Sequence, residues 1–202
     1  MDPILLVGAG GHARACIDVI EQEARFSIKG LVGLPHEVGS SILGYPVLGA
    51  DEDLPALISD CVNVLVAIGQ IKTPEPRLRV FDFLSQNSAV FPIIISPRAY
   101  VSVHAKLNSG TIVMHGAVIN AGVKAGKNCI INSQALVEHD AIIGDHCHIS
   151  TSAIINSGVF VGKGTFIGSN SSVRQGINIG ENCLIGMGQN VLADCETGAR
   201  IV

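Results

Sequence analysis

The sequence is poor in positive charge and has no run of basic residues. Lys and Arg total 13 against 17 Asp and Glu, for a formal net charge of -4 over 202 residues. Proteins that bind nucleic acid need clustered cations to neutralise phosphates, and no such cluster occurs here. We therefore expect no nucleic-acid partner.

Long apolar segments are also missing, although the mean hydropathy is high at +0.45. Stretches such as "VLVAI" and "FPIII" are far shorter than the roughly 20 residues that cross a bilayer. The N-terminal "MDPILLVGAGG" breaks into glycines before it could form the apolar region of a secretion signal. These absences predict no membrane insertion and a cytoplasmic location.

The first half of the chain alternates short apolar runs with helical patterns, which is typical of an α/β unit with a parallel sheet. We expect one Rossmann-like domain over residues 1–95. Its predicted strands lie at 4–7, 28–33, 62–69 and 90–95, and its predicted helices at 12–24, 51–60 and 74–87.

From Tyr100 onward the chain divides into sixteen consecutive hexads without an insertion, ending at Cys195. The second position is Val, Ile or Leu in fifteen of them, and Ala125 is the exception. Gly, Asn and Asp recur at the third to fifth positions, where they tolerate the positive φ of tight turns. This repeat predicts an all-β domain over residues 96–202, a parallel β-helix with the second positions pointing inward.

Hexads such as "IIGDHC", "FVGKGT" and "LIGMGQ" resemble those of the left-handed β-helix acyltransferases. Together, "ILLVGAGGHARACIDVI" and "INSQALVEHDAIIGDHCHIS" resemble the bacterial family of sialic acid O-acetyltransferases and nucleotide-amino-sugar N-acetyltransferases. The resemblance implies a left-handed β-helix with three hexads in each coil, a homotrimer, and acetyl-CoA as co-substrate. We expect no metal cofactor.

With three hexads per coil, residues 18 apart stack at the spacing of neighbouring strands, about 4.8 Å. Cys129, Cys147, Thr165 and Cys183 then form one inward column. A zinc site is disfavoured because no CxxC pair is present and Thr takes the place of Cys in this column. Disulfides are not expected in a reducing compartment. We interpret these cysteines as core residues and not as acyl-carrying nucleophiles.

His139 occupies the fourth position of its hexad, outside the inward columns, and Asp140 follows it. The resemblance implies that His139 is the general base and that the acidic residue after it raises its basicity. An imidazole can accept a proton at cellular pH, and a carboxylate beside it can orient the ring. The alternative is a solvated turn histidine. His146 is expected to be such an exposed turn residue.

For acetyl-CoA, the resemblance points to His148, and we add Ser157, Ser169 and Met187. Asn132 matches a family asparagine near the acceptor, and a turn asparagine without a role is the alternative. Because His139 and His148 are expected on different faces of one β-helix, a shared site would need adjacent subunits.

The loop "GAGGHA" over residues 8–13 follows a predicted strand and opens a helix, so its amides could cradle phosphate. A dehydrogenase is disfavoured because the strand 28–33 lacks an acidic residue at its tip to bind a ribose hydroxyl. The resemblance instead implies that the loop binds a small-molecule sugar substrate through Gly10, Gly11, His12 and Ala13.

The sequence thus predicts an acetyl-CoA-dependent N-acetyltransferase that acts on an amino sugar, expected to be nucleotide-linked, for a bacterial surface glycan or glycoprotein. O-acetylation of a sialic or related nonulosonic acid is the alternative. A non-catalytic β-helix scaffold is the third hypothesis, and the presence of His139 with Asp140 argues against it.

Overall fold

A computed structural model describes all 202 residues. The chain forms two compact units, one of residues Met1–Gly69 with Glu75–Ile94, and one of Gln70–Pro74 with Ile95–Val202. The sequence predicts domains of residues 1–95 and 96–202. The main difference in the structure is that the short segment Gln70–Pro74 belongs to the second unit. None of the helices is both long enough and apolar enough to cross a bilayer.

The first unit is a Rossmann-like α/β domain, as predicted. Its sheet has the order β3-β4-β2-β1-β5, in which β3 runs antiparallel to β4 and the other pairs are parallel. Two short 3₁₀ helices, Pro35–Glu37 and Asp51–Asp53, lie in its loops. The elements are β1 (Asp2–Val7), α1 (Gly11–Glu23), β2 (Phe26–Val32), β3 (Ser41–Ile42), β4 (Tyr45–Gly49), α2 (Leu54–Asp60), β5 (Val64–Val66) and α3 (Glu75–Gln86).

The core of this unit follows the apolar pattern of the sequence. The inner residues of β1 and all of β5 are buried, which fits strands covered on both faces. Helix α1 buries Ala13, Cys16 and Ile20 on one side at helical spacing. The β3–β4 hairpin is absent from the predicted elements. Its two-residue turn has positive φ at both Leu43 and Gly44, and Leu is rare at the first of these positions, where Asn or Asp is the usual signal.

The second unit is the predicted left-handed parallel β-helix. Each of the sixteen hexads supplies one two-residue strand at its first two positions. The strands are β6 (Ile94–Ile95), β7 (Tyr100–Val101), β8 (Lys106–Leu107), β9 (Ile112–Val113), β10 (Val118–Ile119), β11 (Lys124–Ala125), β12 (Ile130–Ile131), β13 (Leu136–Val137), β14 (Ile142–Ile143), β15 (His148–Ile149), β16 (Ile154–Ile155), β17 (Phe160–Val161), β18 (Phe166–Ile167), β19 (Ser172–Val173), β20 (Asn178–Ile179), β21 (Leu184–Ile185), β22 (Asn190–Val191) and β23 (Arg200–Ile201).

These strands form three parallel sheets, which are the faces of the prism. Face A contains β7, β10, β13, β16, β19 and β22; face B contains β8, β11, β14, β17 and β20; and face C contains β6, β9, β12, β15, β18, β21 and β23. The chain passes from A to B, from B to C and from C to A, so the turns line up as an A–B corner, a B–C corner and a C–A corner.

The predicted stacking of residues 18 apart is confirmed. Leu136 pairs with Val118 on one side and with Ile154 on the other, and His148 pairs with Ile130 and Phe166. The second positions point inward and form one continuous apolar core with the small sixth positions. Ala125, the exception in the repeat, is buried in the same core.

The regular repeat fails at its last turn. Cys195 pairs with Ile179, and Ile201 pairs with Ile185, so this final coil contains 16 residues instead of 18. The prediction that Cys195 ends a regular hexad is therefore wrong. Because this coil is two residues shorter, Cys195, the sixth residue of its hexad, pairs with Ile179, which is the second residue of an earlier hexad.

A hydrogen-bonded column explains why both Cys and Thr occupy the same position at the B–C corner. The Thr165 hydroxyl donates to the Gly180 carbonyl at 2.8 Å, and the Cys147 thiol donates to the Gly162 carbonyl at 3.1 Å. Thr111, Cys129 and Cys183 make the equivalent bond. Burial raises the pKa of the Cys147 thiol well above its usual value, so the reactive thiolate is suppressed. None of the six cysteines forms a disulfide.

This column generates a prediction about stability. We expect Cys147→Thr to keep the free energy of unfolding within about 1 kcal/mol, because a hydroxyl can donate to the same carbonyl. Cys147→Val, whose side chain has the same shape as Thr but no donor, should cost about 1–2 kcal/mol, since the buried carbonyl loses its hydrogen bond. Denaturant unfolding of both variants measures the difference. Equal stability of the Thr and Val variants would contradict the role of the column.

Candidate active site

The A–B corner presents His139 and Asp140 to solvent. The His139 Nδ1 lies 2.9 Å from Asp140 Oδ2, and the two side chains are 60% and 73% exposed. Backbone bonds between coils hold the turn, because the His139 carbonyl accepts from the Gly158 amide at 3.1 Å and the Asp140 amide donates to the Ala121 carbonyl at 3.1 Å. The backbone of Asp140 is in the left-handed region, with φ of 62°.

This arrangement fixes which ring nitrogen is basic. A carboxylate only accepts hydrogen bonds, so His139 Nδ1–H is the donor and the lone pair lies on Nε2. An exposed pair of this kind adds little to stability. The contact with Asp140 instead orients the imidazole, and a general base needs an oriented ring.

Three polar residues outside the predicted site support the same corner. Asn120 Nδ2 donates to Glu138 Oε2 at 2.9 Å, so the side chain beside His139 is tied to the coil below. Asn156, in the coil above, donates to the Val173 carbonyl at 2.8 Å. Asn120, Glu138 and Asn156 all occupy the third position of face A hexads. The sequence alone could have grouped these three residues, because they are spaced 18 residues apart in the repeat.

His148 and Asn132 lie together elsewhere, at face C. The His148 Nδ1–H donates to the Gln70 carbonyl at 2.7 Å, so Nε2 accepts from Asn132 Nδ2 at 3.1 Å. The ring packs edge-on against Phe166 with centroids 5.2 Å apart, and His148 is only 6% exposed. Gln70 Nε2 also donates to the Gly164 carbonyl at 3.1 Å. In the single chain, His148 therefore anchors the Gln70–Pro74 segment.

The other predicted acetyl-CoA residues divide between two corners. Ser157 lies on the A–B corner, one coil above His139. Ser169 and Met187 lie on the C–A corner, where the Ser169 hydroxyl is 2.9 Å from the Ser150 hydroxyl and Met187 is 78% exposed. Within one chain, these residues do not meet.

The prediction that His146 is exposed is wrong. It is only 5% exposed, and its Nδ1 accepts from Asn128 Nδ2 at 3.0 Å. His146 and Asn128 occupy the same position in consecutive coils, both left-handed. The imidazole therefore lies over the amide below it instead of projecting into solvent.

In the first unit, the glycine loop lines a cavity of about 480 Å³. Gly10, Gly11 and His12 line this cavity, whereas Ala13 is fully buried in the core and does not. Gly8 has φ of +121°, and a Cβ there would lie 2.9 Å from the Ala67 backbone. Only glycine permits this close approach of two loops.

Three charged residues that carry no motif in the sequence also line this cavity. They are Glu37, Asp51 and Arg79. Glu37 Oε2 accepts from the Leu34 amide at 2.7 Å, which fixes the carboxylate at the 3₁₀ turn. Glu37 and Asp51 therefore supply acidic groups to the cavity, although strand β2 has no acidic residue at its end. No group of three or more His, Cys, Asp or Glu side chains is placed to hold a metal ion.

Buried Arg77 holds the loop after β5, which lines the cavity beside the glycine loop. Its Nη1 donates to the carbonyls of Val66 at 2.7 Å and Ile68 at 2.6 Å, at the carboxyl end of β5. Burial raises the pKa of nearby Cys16 to about 12, against a smaller lowering by the Arg77 charge. Cys16 is therefore a core thiol and not a nucleophile.

The chain matches known families in both halves. Residues 3–82 match the PglD N-terminal domain, and residues 158–193 match the hexapeptide repeat of succinyl-transferase. No curated protein sequence matches the chain.

Among solved structures, three similar proteins cover nearly the whole chain. One is a variant of perosamine N-acetyltransferase from Caulobacter crescentus, with one histidine changed to asparagine, in complex with CoA and GDP-perosamine. It is 30% identical with a TM-score of 0.90, and the match covers 97% of this chain and 91% of that chain. The acetyltransferase domain of PglB from Neisseria gonorrhoeae FA1090, in complex with acetyl coenzyme A, is 26% identical with a TM-score of 0.88, covering 96% and 92%.

WeeI from Acinetobacter baumannii AYE is 20% identical with a TM-score of 0.87. The match covers 99% of this chain and 96% of that chain, and it shows the shared fold.

The similarity to perosamine N-acetyltransferase is extensive enough in identity and coverage to show the family. The family expected from the sequence is confirmed: this chain belongs to the bacterial sugar acetyltransferases of the hexapeptide-repeat family, and it is an acyltransferase.

Proposed function

We propose that the protein transfers the acetyl group of acetyl-CoA to the amine of a nucleotide-linked amino sugar, with His139 as the general base. The observation that carries this proposal is the exposed His139 ring on the A–B corner, with Nδ1 on Asp140 and Nε2 open. That is the geometry by which a side chain can take a proton from a bound substrate.

The proposed reaction is direct transfer. The neutral amine attacks the thioester carbonyl, and Nε2 of His139 accepts the proton that the nitrogen loses. The tetrahedral intermediate carries its negative charge on the carbonyl oxygen, which a backbone amide stabilises. Collapse breaks the carbon–sulfur bond, and the departing CoA thiolate takes the proton from the His139 imidazolium, which restores the neutral base. Asp140 balances the positive charge on the imidazolium while the intermediate exists.

Acetyl-CoA as co-substrate is supported by the relatives that bind CoA or acetyl coenzyme A. We assign His148, Ser157, Ser169 and Met187 to its binding site. These residues lie at separate places on one β-helix, so a single site requires a seam between copies. Apolar side chains remain exposed on the outer surfaces of faces A and B, including Ile142, Ile154 and Phe160. We propose a homotrimer in which neighbouring copies cover these surfaces.

The acceptor that we propose is a GDP-linked amino sugar. The relatives crystallised with GDP-perosamine make a GDP-linked amino sugar the first candidate. The cavity of about 480 Å³ at the glycine loop is large enough for a ligand of this class. We assign Gly10, Gly11 and His12 to it, and Asn132 to the acceptor side. O-acetylation of a sialic acid remains the second expectation, although these named relatives support N-acetylation.

We also propose the cytosol as the location of the protein. Cys129, Cys147 and Cys183 donate as thiols to backbone carbonyls from one core column. A reducing compartment maintains cysteines in that state.

The base assignment predicts a large loss of turnover in His139→Ala. We expect kcat for acetyl transfer to fall about 10²- to 10⁴-fold, the range typical of a lost general base. The KM for acetyl-CoA and the melting temperature should stay close to those of the unchanged protein, because the ring is exposed. Steady-state kinetics with GDP-perosamine measure this.

His104→Ala is the matched control, because His104 is an exposed histidine of the same A–B corner in a lower coil. It should retain full activity. A His139→Ala variant with unchanged kcat/KM would show that another group accepts the proton.

The cavity assignment predicts a selective effect of filling the glycine loop. Gly10 has an extended backbone, and a Cβ added there would meet nothing within 4 Å, so a larger side chain meets no protein atom near its base. We expect Gly10→Phe to raise the KM for the nucleotide sugar at least about tenfold, with Gly10→Ala intermediate. The KM for acetyl-CoA should not change.

A thermal-shift series with GDP-, UDP- and CMP-linked sugars supplies the binding readout, because a ligand of the folded state raises its melting temperature. The shift seen with the unchanged protein should disappear in Gly10→Phe. A nucleotide sugar that stabilises both proteins equally would place the acceptor outside this cavity.

A further inference from the structure

The Asp140 carboxylate lies against the His139 ring although its side chain is 73% exposed. An exposed carboxylate ordinarily samples several rotamers, and only some of them can reach a neighbouring ring. The position of Oδ2, 2.9 Å from His139 Nδ1, therefore needs a physical cause. The cause lies in the coil below, where Gly122 occupies the same hexad position as Asp140.

The space above Gly122 is filled by the Asp140 carboxylate. A Cβ added at Gly122 would lie 2.4 Å from Asp140 Oδ1 and 3.3 Å from its Cγ. Real carbon atoms do not approach an oxygen so closely. The carboxylate can thus place Oδ1 over residue 122 and Oδ2 on the imidazole only while residue 122 has no side chain.

We infer that Gly122 is a positioning residue for catalysis: its missing side chain lets Asp140 hold His139 in the orientation that leaves Nε2 free. This inference rests on the proposed function of His139. Gly122 touches neither substrate nor the reacting atoms, and it acts through Asp140.

The turn conformation alone does not account for glycine at this position. Gly122 has φ of +78°, but equivalent turns of the β-helix use Asn at Asn128, Asn170 and Asn182, with φ between 52° and 59°. Asp140 itself has φ of 62°. The corners of the β-helix therefore accept short polar residues at this hexad position. Close packing over a glycine also occurs at Gly164, whose Cβ would lie 2.3 Å from Asn182 Oδ1. What distinguishes Gly122 is that the group packed against it is the carboxylate bonded to His139.

The same column offers a matched control. Gly176 is also left-handed, with φ of +71°, and a Cβ there would meet nothing within 4 Å. Alanine imposes the same backbone strain at both positions, so Gly122→Ala and Gly176→Ala should lower the melting temperature by similar amounts. Only Gly122→Ala should move the carboxylate, since the clashing atom is the free end of a side chain.

The test compares kinetics of the two alanine variants with GDP-perosamine and acetyl-CoA. Gly122→Ala should lower kcat about tenfold with both KM values within about twofold, because an orienting contact is lost and not a binding contact. Gly176→Ala should retain kcat. In an Asp140→Asn background, Gly122→Ala should have no further effect on kcat, as expected for two residues that act through one interaction.

A spectroscopic readout separates this inference from the base assignment. The imidazole ¹⁵N shifts of His139 at alkaline pH report its neutral tautomers. Gly122→Ala and Asp140→Asn should both reduce the Nδ1–H tautomer, and Gly176→Ala should not. If His139→Ala keeps its activity, the proposed function fails while this tautomer result still stands. If Gly122→Ala leaves both kcat and the tautomer unchanged, the role of Gly122 is refuted.

Discussion

Parallel pairing between residues 18 apart is the constraint on which the second unit depends. It stacks each hexad position on its counterpart one coil away, about 4.8 Å from it. A shift of one residue would turn the inward aliphatic side chains outward, so the buried second positions fix the register. The Cys and Thr column, the Asn128–His146 pair and the carboxylate over Gly122 are all contacts made by this stacking.

The same constraint explains why chemistry is found at the corners. The inward second positions are filled by aliphatic side chains, and the inward sixth positions admit only small groups such as Thr and Cys that bond to the backbone. A fourth-position side chain such as His139 lies outside both, while backbone bonds between coils still hold its turn. In the first unit the equivalent support comes from Gly8, which allows two loops to touch, and from Arg77, which ties down the loop after β5. Rigid elements thus position flexible functional groups in both units.

Much of the fold could be predicted because its signals are repeated or periodic. The hexads predict every strand from β7 to β22, and apolar runs locate β1, β2, β5 and the three helices of the first unit. The strand predicted at 90–95 for the first unit is wrong, because Ile94–Ile95 pairs with β9 in face C and only Val90 bridges to Asn63. The shortened last coil, the β3–β4 hairpin and the burial of His146 could not be predicted, because each depends on a neighbour one coil or one strand away. At the site, a motif identifies His139 and Asp140. Glu37, Arg79 and Arg77 carry no motif, and only the folded contacts reveal them.

A crystal structure of the protein with CoA and GDP-perosamine bound is the most direct test of the proposed catalytic seam. We expect a trimer in which the sugar amine lies about 3 Å from His139 Nε2, while Nδ1 remains on Asp140. A monomer, or an amine that lies nearest another side chain with the His139 ring turned away, would contradict the proposal.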